Sequence, residues 1–95
     1  MPRYLSLIKF TEQGVKNLKQ STARAAAFRN AAEKAGVKIE GQYWTVGAYD
    51  GALILRADDE QKALRCLTEL AALGNVRTES MQAFIDSEFS AIVGQ

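Results

Sequence analysis

Residues 46–51 read Val46-Gly47-Ala48-Tyr49-Asp50-Gly51, and they carry the clearest turn signal in the chain. Two glycines bracket a tyrosine and an aspartate, with β-favouring segments at residues 43–46 and 52–55. A strand, a short glycine-containing loop and a second strand are typical of a β-hairpin. The sequence therefore predicts an antiparallel strand pair near the middle of the chain.

The segments on either side of this hairpin alternate between strand and helix patterns. The predicted strands are residues 4–10, 37–46, 52–57 and 76–84. The predicted helices are a short turn capped by Thr11, residues 21–35 ending at Gly36, residues 58–73 ending at Gly74-Asn75, and a terminal helix capped by Asp86. This order predicts an α+β, ferredoxin-like βαββαβ fold, with a four-stranded antiparallel sheet, helices on one face and a short C-terminal helix.

Apolar spacing within the elements predicts which side chains form the core. The stripes expected to face inward are Ala25, Phe28, Ala31 or Ala32 and Ala35 in the first long helix, Ala63, Leu64, Leu67, Leu70, Ala71 and Leu73 in the second, and Phe89 and Ile92 in the last. Gly41 is predicted to mark a bulge or bend in the second strand. The strands carry apolar groups on both faces, so Tyr4, Ile8 or Trp44 would lie on a face without helices. A covering copy, most simply in a two-fold homodimer with facing sheets, is therefore predicted.

Composition limits the classes of function. Ninety-five residues predict one domain, residues 1–95, and 12 basic against 11 acidic residues lack the basic face that nucleic-acid binding needs. No apolar run approaches the ~20 residues of a membrane span, and the first residues lack a signal-peptide layout. The single cysteine, Cys66, excludes an intramolecular disulfide and suits a reducing compartment, so a cytoplasmic location is expected. In the second long helix this thiol is expected to be an inert small hydrophobe.

The chain contains no histidine, which removes Ser-His and Cys-His catalysis and imidazole metal ligation. It also lacks a glycine-rich phosphate loop, paired cysteines and a nucleophile elbow. We therefore expect no metal site and no cofactor. Any catalysis would use carboxylates, tyrosine, lysine, cysteine or an external cofactor.

Polar residues that are distant in sequence are predicted to meet at the hairpin end of the sheet. The candidate ligand-binding residues are Thr11, Tyr49, Asp50, Asn75 and Arg77, of which Tyr49 and Asp50 are the candidate catalytic pair. A structural interpretation of the same residues is favoured, because turn residues usually serve turns. Tyr49 would pack over the sheet edge, Asp50 would accept turn N–H groups, Thr11 would cap a helix and Asn75 would end one. Arg77 would pair with Glu79 in a pocket or lie solvated on an edge strand.

Gly47-Ala48-Tyr49-Asp50 resembles the Gly-x-Tyr-Asp signature of the GYD domain family, small bacterial and archaeal proteins without an established activity. Three further stretches are similar to that family: the opening strand running into residues 11–14, the helix at 21–36, and residues 73–79 leading to Ala83-Phe84. The resemblance implies a ferredoxin-like fold of the dimeric α+β barrel kind. It implies no catalytic residues.

Three functions are consistent with these features. The first is a homo-oligomeric binding or structural module, whose inter-sheet cavity takes a small organic ligand or none. The second is a cofactor-independent oxygenase or isomerase, by analogy of fold, with Tyr49 and Asp50 as acid and base and Arg77 orienting an anionic substrate. The third is a regulatory partner of a larger enzyme. The lack of histidine weighs against the second.

Overall fold

The computed structural model describes residues 2–94 and shows a four-stranded antiparallel sheet with four α-helices and a short 3₁₀ helix at Leu18–Gln20. The strands are β1 (Arg3–Phe10), β2 (Val37–Trp44), β3 (Gly51–Ala57) and β4 (Val76–Gln82). The helices are α1 (Glu12–Lys16), α2 (Ser21–Lys34), α3 (Glu60–Ala72) and α4 (Asp86–Ile92). The strand order β2-β3-β1-β4 confirms the α+β, ferredoxin-like prediction. None of the helices described within residues 2–94 has the length and apolarity to cross a membrane.

Helix boundaries follow the capping signals in most places. Thr11 and Asp59 cap α1 and α3, with side-chain oxygens that accept the backbone N–H groups of Gly14 and Lys62. The prediction for the last helix was wrong, because its N-cap is Ile85 and not Asp86. There the Glu88 carboxylate accepts the Ile85 N–H at 2.9 Å, so a later acid satisfies the free donor.

The core lies between the helices α2 and α3 and one face of the sheet, here called the inner face. Leu53, Leu55 and Val37 are its largest fully buried apolar side chains. Ser6 is buried among them, and its hydroxyl bonds to that of Ser80 on the adjacent strand at 2.6 Å. The buried polar group is therefore satisfied without water.

A β-bulge between Ile39 and Gly41 changes which side chains of β2 face inward. The bulge expected at Gly41 is confirmed, and it reverses the alternation beyond it. Tyr43 therefore turns to the other face of the sheet, where its ring covers Gly41. Trp44 turns to the inner face, so its predicted place on the face without helices was wrong.

The face of the sheet opposite the helices, here called the open face, carries residues other than those predicted. Tyr4 is buried in the core and Ile8 packs against it, so their expected exposure was wrong. The alternation of β1 instead places Leu5 and Leu7 on the open face. The apolar members of this face are Leu5, Leu7, Ala52, Ile54, Met81 and Tyr43.

The two long helices bury narrower stripes than their apolar residues suggest. Ala63, Cys66 and Leu67 are buried on α3, whereas Leu64 and Leu73 are 50% and 63% exposed. Ala71 is also exposed. Leu64 and Ala71 each lie one residue, about 100° of turn, beyond a core position, which places them outside the stripe.

Helix α2 likewise buries only Ala32 fully, with Phe28 packed against the core. Ala31 and Ala35 remain exposed because α2 and α3 stand apart over the sheet.

The terminal helix α4 is tied to the sheet through its polar side. Glu88 accepts a hydrogen bond from Arg3 at 3.1 Å, and the Ile85 N–H and Arg3 hold the pKa of this carboxyl below its usual range. Phe89 and Ile92 are 55% and 57% exposed, so their predicted inward orientation was wrong. No element of residues 2–94 covers this apolar side of α4.

Replacing Leu55 with alanine tests the core assignment. Leu55 is 0% exposed, so Leu55→Ala removes methyl groups from a packed interior and should lower the free energy of unfolding by about 2–5 kcal/mol. The matched change Leu64→Ala, at a half-exposed leucine of α3, should lower it by less than about 1 kcal/mol. Urea titration of both variants measures the difference, and equal losses would contradict the assignment.

Candidate functional site

The loop between β2 and β3 is held by its own hydrogen bonds. The Thr45 backbone N–H donates to the Asp50 carbonyl at 2.9 Å, and the Thr45 hydroxyl donates to the Tyr49 carbonyl at 2.6 Å. Gly47 has a φ of 149°, in the range that favours glycine. The first glycine of the quoted stretch thus serves the loop, and the loop fixes where Tyr49 and Asp50 lie.

Asp50 joins the hairpin to the end of β1. Its backbone N–H donates to the Ile8 carbonyl at 2.8 Å, and its carboxylate accepts the Phe10 N–H at 2.9 Å. The side chain therefore takes the place of a backbone acceptor beyond the end of the β1–β3 ladder. A carboxylate in this position stabilises the strand end, and its Oδ2 atom is occupied.

Thr11 and Asn75 connect the start of α1 to the end of α3. The Thr11 hydroxyl donates to the Gly74 carbonyl at 2.6 Å, and the Thr11 N–H donates to the Asn75 carbonyl at 3.1 Å. The Gln13 amide donates to the Asn75 side-chain oxygen at 3.0 Å. A Cβ atom on Gly14 would collide with the Asn75 carbonyl oxygen, so this junction requires glycine there.

Tyr49 lies on the open face, at its hairpin end. Its hydroxyl donates to a Glu79 carboxylate oxygen at 2.6 Å, and the Lys9 ammonium lies 5.8 Å from the ring centroid. This hydrogen bond, the charge of Glu79 and partial burial raise the pKa of Tyr49 above its ordinary value. The side chain is therefore a neutral phenol at physiological pH, which makes it a poor general base.

The structure places all five predicted site residues at one end of the sheet but does not form one site from them. Arg77 is exposed on β4, opposite Lys9 of β1, on the same face as Tyr49. Thr11 and Asn75 belong to the junction between α1 and α3, and Asp50 to the strand end. Within residues 2–94, no single cavity is lined by Tyr49, Asp50 and Arg77 together.

The potential metal ligands and the cysteine within residues 2–94 do not form a second candidate site. No cluster of three or more potential metal-ligating side chains occurs in the described part of the chain. Cys66 is buried on α3, and burial, with the charge of Glu69, raises the pKa of its thiol to about 11. The thiol is therefore protonated at neutral pH and a weak nucleophile.

Sequence reasoning missed the two groups that surround Tyr49. Glu79 of β4 accepts the hydrogen bond of the Tyr49 hydroxyl, and Lys9 of the adjacent strand β1 lies over the Tyr49 ring. Their positions depend on the pairing Leu7↔Glu79 and Lys9↔Arg77, which the sequence does not specify. The only available signal was the placement of Glu79 and Arg77 two residues apart on one strand.

Comparison with known proteins decides the family. The model of the GYD domain matches residues 4–93. The chain belongs to the GYD domain family. A curated relative in Thermus thermophilus, named "Glutamine synthetase and cystathionine beta-lyase binding protein", is 29% identical over 84 residues, covering 87% of this chain and 88% of the relative.

A solved structure supports the same architecture for this GYD domain. The crystal structure of TTHA0845, also from Thermus thermophilus, superposes with a TM-score of 0.58 at 23% identity. The match covers 90% of this chain and 95% of the other. At this identity the likeness shows a shared fold.

Removing the Asp50 carboxylate tests its structural role. Asp50→Ala leaves the partly buried Phe10 N–H without its acceptor and should lower the free energy of unfolding by about 1–3 kcal/mol. Asp50→Asn keeps an oxygen acceptor and should recover most of that loss. Thermal or urea unfolding distinguishes the two, and two variants as stable as the parent would contradict the role.

The bond between Tyr49 and Glu79 should be visible in a pH titration. Because the folded pKa of Tyr49 is raised, the stability that the bond contributes is fully present below the ordinary tyrosine pKa. That stability is lost as the pH rises through the raised folded value. The Glu79→Gln variant should ionise Tyr49 at lower pH than the parent, as measured by tyrosinate absorbance after subtracting the Tyr49→Phe titration in each background. Identical Tyr49 titrations would refute the bond.

Proposed function

We propose that this GYD domain is a non-catalytic binding module that forms a two-fold homodimer and docks on a metabolic enzyme. The observation that carries the proposal is the apolar surface that one chain leaves uncovered. Within residues 2–94, the proposal rests on two parts of this surface, the open face of the sheet and the outer side of α4. Monomeric proteins rarely expose large contiguous apolar patches, and such patches usually mark an interaction site.

The open face is proposed to contact a second copy. Its central leucines, Leu5 and Leu7, are only half-buried, and Met81 and Tyr43 at its margins are 44% and 58% exposed. Helices already cover the inner face, so a second sheet is the simplest cover for the open one. Burying apolar area at roughly 25 cal/mol per Å² would favour the association.

The charges at the ends of the open face are compatible with pairing of identical surfaces. One end holds Arg3 against Glu40 at 3.0 Å, with Arg56 at 3.5 Å from the same carboxylate. The other end holds Lys9, Arg77 and Glu79. Because each end carries both signs, a two-fold contact can form without like charges in opposition.

The outer side of α4 is proposed to contact the enzyme. Ile85, Phe89, Ile92 and Val93 follow the spacing of an apolar helix face, and each is about half exposed. A helix face of this kind typically lies in an apolar groove of its partner. The name of the Thermus relative, which states that it binds glutamine synthetase and cystathionine β-lyase, supports an enzyme as the partner.

The enzyme hypothesis receives no comparable support. A catalytic pair needs groups that converge on a substrate, whereas the Asp50 carboxylate bonds to Phe10 and the Tyr49 hydroxyl to Glu79. We therefore retain Tyr49, Asp50 and Arg77 as predicted ligand-binding residues and assign them no catalytic role. A small organic ligand between two facing sheets also stays a prediction, and the unpaired Cys66 is consistent with a cytoplasmic setting.

The test is direct binding to purified enzymes from the organism that encodes this chain. Glutamine synthetase and cystathionine β-lyase are immobilised separately, and the full-length chain is titrated over each by biolayer interferometry. We expect saturable binding to at least one of them. The double variant Phe89→Ser/Ile92→Ser should weaken it at least tenfold by removing two apolar anchors.

The matched control is Leu64→Ser, which removes a half-exposed leucine from α3. It should bind as tightly as the parent. Absence of saturable binding to both enzymes would overturn the enzyme-binding proposal. If the α4 variant bound normally, or if it lost its dimeric mass as well, the assignment of α4 to the enzyme would be wrong.

A further inference from the structure

A groove with a volume of about 800 Å³ runs between α2 and α3, above the inner face of the sheet. The two helices are antiparallel, and the groove extends from Ala35 and Lys62 at one end to Trp44 and Leu73 near the hairpin. Its volume lies within the range of small-molecule pockets, roughly 300–1,000 Å³. This groove is separate from the open face and from α4, so it is independent of the proposed protein contacts.

The groove exists because the side chains of α2 are too short to reach α3. The side of α2 that lines it is mostly alanine, including Ala25, Ala31 and Ala35, with Phe28 as its one large apolar group. Protein interiors are otherwise close-packed, so a space of this size between two helices is not an ordinary packing gap. Alanine at these positions keeps an apolar channel open.

The walls and floor of the groove are predominantly apolar. Phe28 and Leu70 pack against the core from the two helices, Leu53 forms part of the floor, and Trp44 lines the hairpin end. A hydrocarbon or aromatic body placed there would leave water and contact apolar atoms on most sides. Polar groups lie mainly on the margins.

The charges on those margins favour an anion. Three cations and two carboxylates, Asp50 and Glu69, line the groove, and the Asp50 carboxylate at the hairpin end accepts the Phe10 N–H. Two of the cations already have partners: the Arg24 guanidinium donates to the Asn17 carbonyl at 2.6 Å, and Lys62 lies 3.8 Å from Asp58. Arg65 has no ion pair with any carboxylate of residues 2–94. Glu69 lies one turn further along α3 but outside ion-pair distance.

We propose that this groove binds an amphiphilic monocarboxylate, with its hydrocarbon chain between α2 and α3 and its carboxylate against Arg65. The planar guanidinium offers two parallel N–H donors, which match the two oxygens of a carboxylate. Lys62, one turn before Arg65 on the same side of α3, adds a second positive charge nearby. The inference goes beyond the binding of an enzyme and does not depend on it.

Trp44 supplies the readout, because it is the only tryptophan of the chain and it lines the groove. Decanoate is titrated into the full-length protein while Trp44 emission is recorded, with calorimetry as a second measurement. Decanol and decyltrimethylammonium provide the same chain with a neutral and a cationic head. We expect saturable binding of decanoate, with decanol at least tenfold weaker and the cation weaker still.

Two variants separate the roles of charge and space. Arg65→Gln should reduce decanoate affinity about tenfold while leaving decanol affinity unchanged, since it removes a charge-assisted hydrogen bond. Ala31→Phe should abolish binding of both, because the ring occupies the groove. Ala26→Phe is the matched control: Ala26 is an exposed alanine of α2 that does not line the groove, and this variant should bind like the parent.

Each part of the proposal has its own refuting result. No saturable change with decanoate in either measurement would refute the ligand class, and normal binding by Ala31→Phe would refute the location. Equal affinity for the three head groups would refute the role of Arg65. Enzyme binding is measured on the same variants. It should be unchanged in all of them, so failure of this proposal is distinguishable from failure of the proposed function.

Discussion

The dominant constraint on this protein is that its sheet carries apolar side chains on both faces while its helices cover only one. Tyr4, Leu53 and Leu55 are buried beneath α2 and α3, whereas Leu5 and Leu7 on the opposite face are only partly buried. A domain of fewer than 100 residues has little surplus stability, so uncovered apolar surface is a substantial part of its energetics. This imbalance is why a binding role fits the molecule better than a catalytic one.

The polar residues at the hairpin end of the sheet stabilise the ends of strands and helices. The side chains of Thr11, Asp50 and Asn75 satisfy backbone and side-chain groups where strands end and helices begin. These bonds fix the ends of β1 and the hairpin, and so they fix the shape of the open face between them. Residues of the family signature thus act mainly on the geometry of the hairpin, and Tyr49 alone presents its ring and hydroxyl to that face.

The element order and two of the four α-helix N-caps, Thr11 and Asp59, could be predicted because they depend on local signals, as do the glycines after α2 and α3. The position of Trp44 could not be predicted, because one extra residue at the bulge near Gly41 reverses every later side chain of the strand. The partners of Tyr49 depend on strand register. The exposure of Phe89 was missed because an apolar helix face does not reveal whether its own chain or another covers it.

The size of the particle in solution tests the central claim most directly. One chain has a Cα radius of gyration of 14.0 Å, larger than the roughly 12 Å expected for a compact chain of this length. Small-angle X-ray scattering at several concentrations yields both the radius and the mass. The account predicts twice the mass of one chain and a radius well above 14.0 Å. A particle with the mass of one chain and a radius near that value would contradict it.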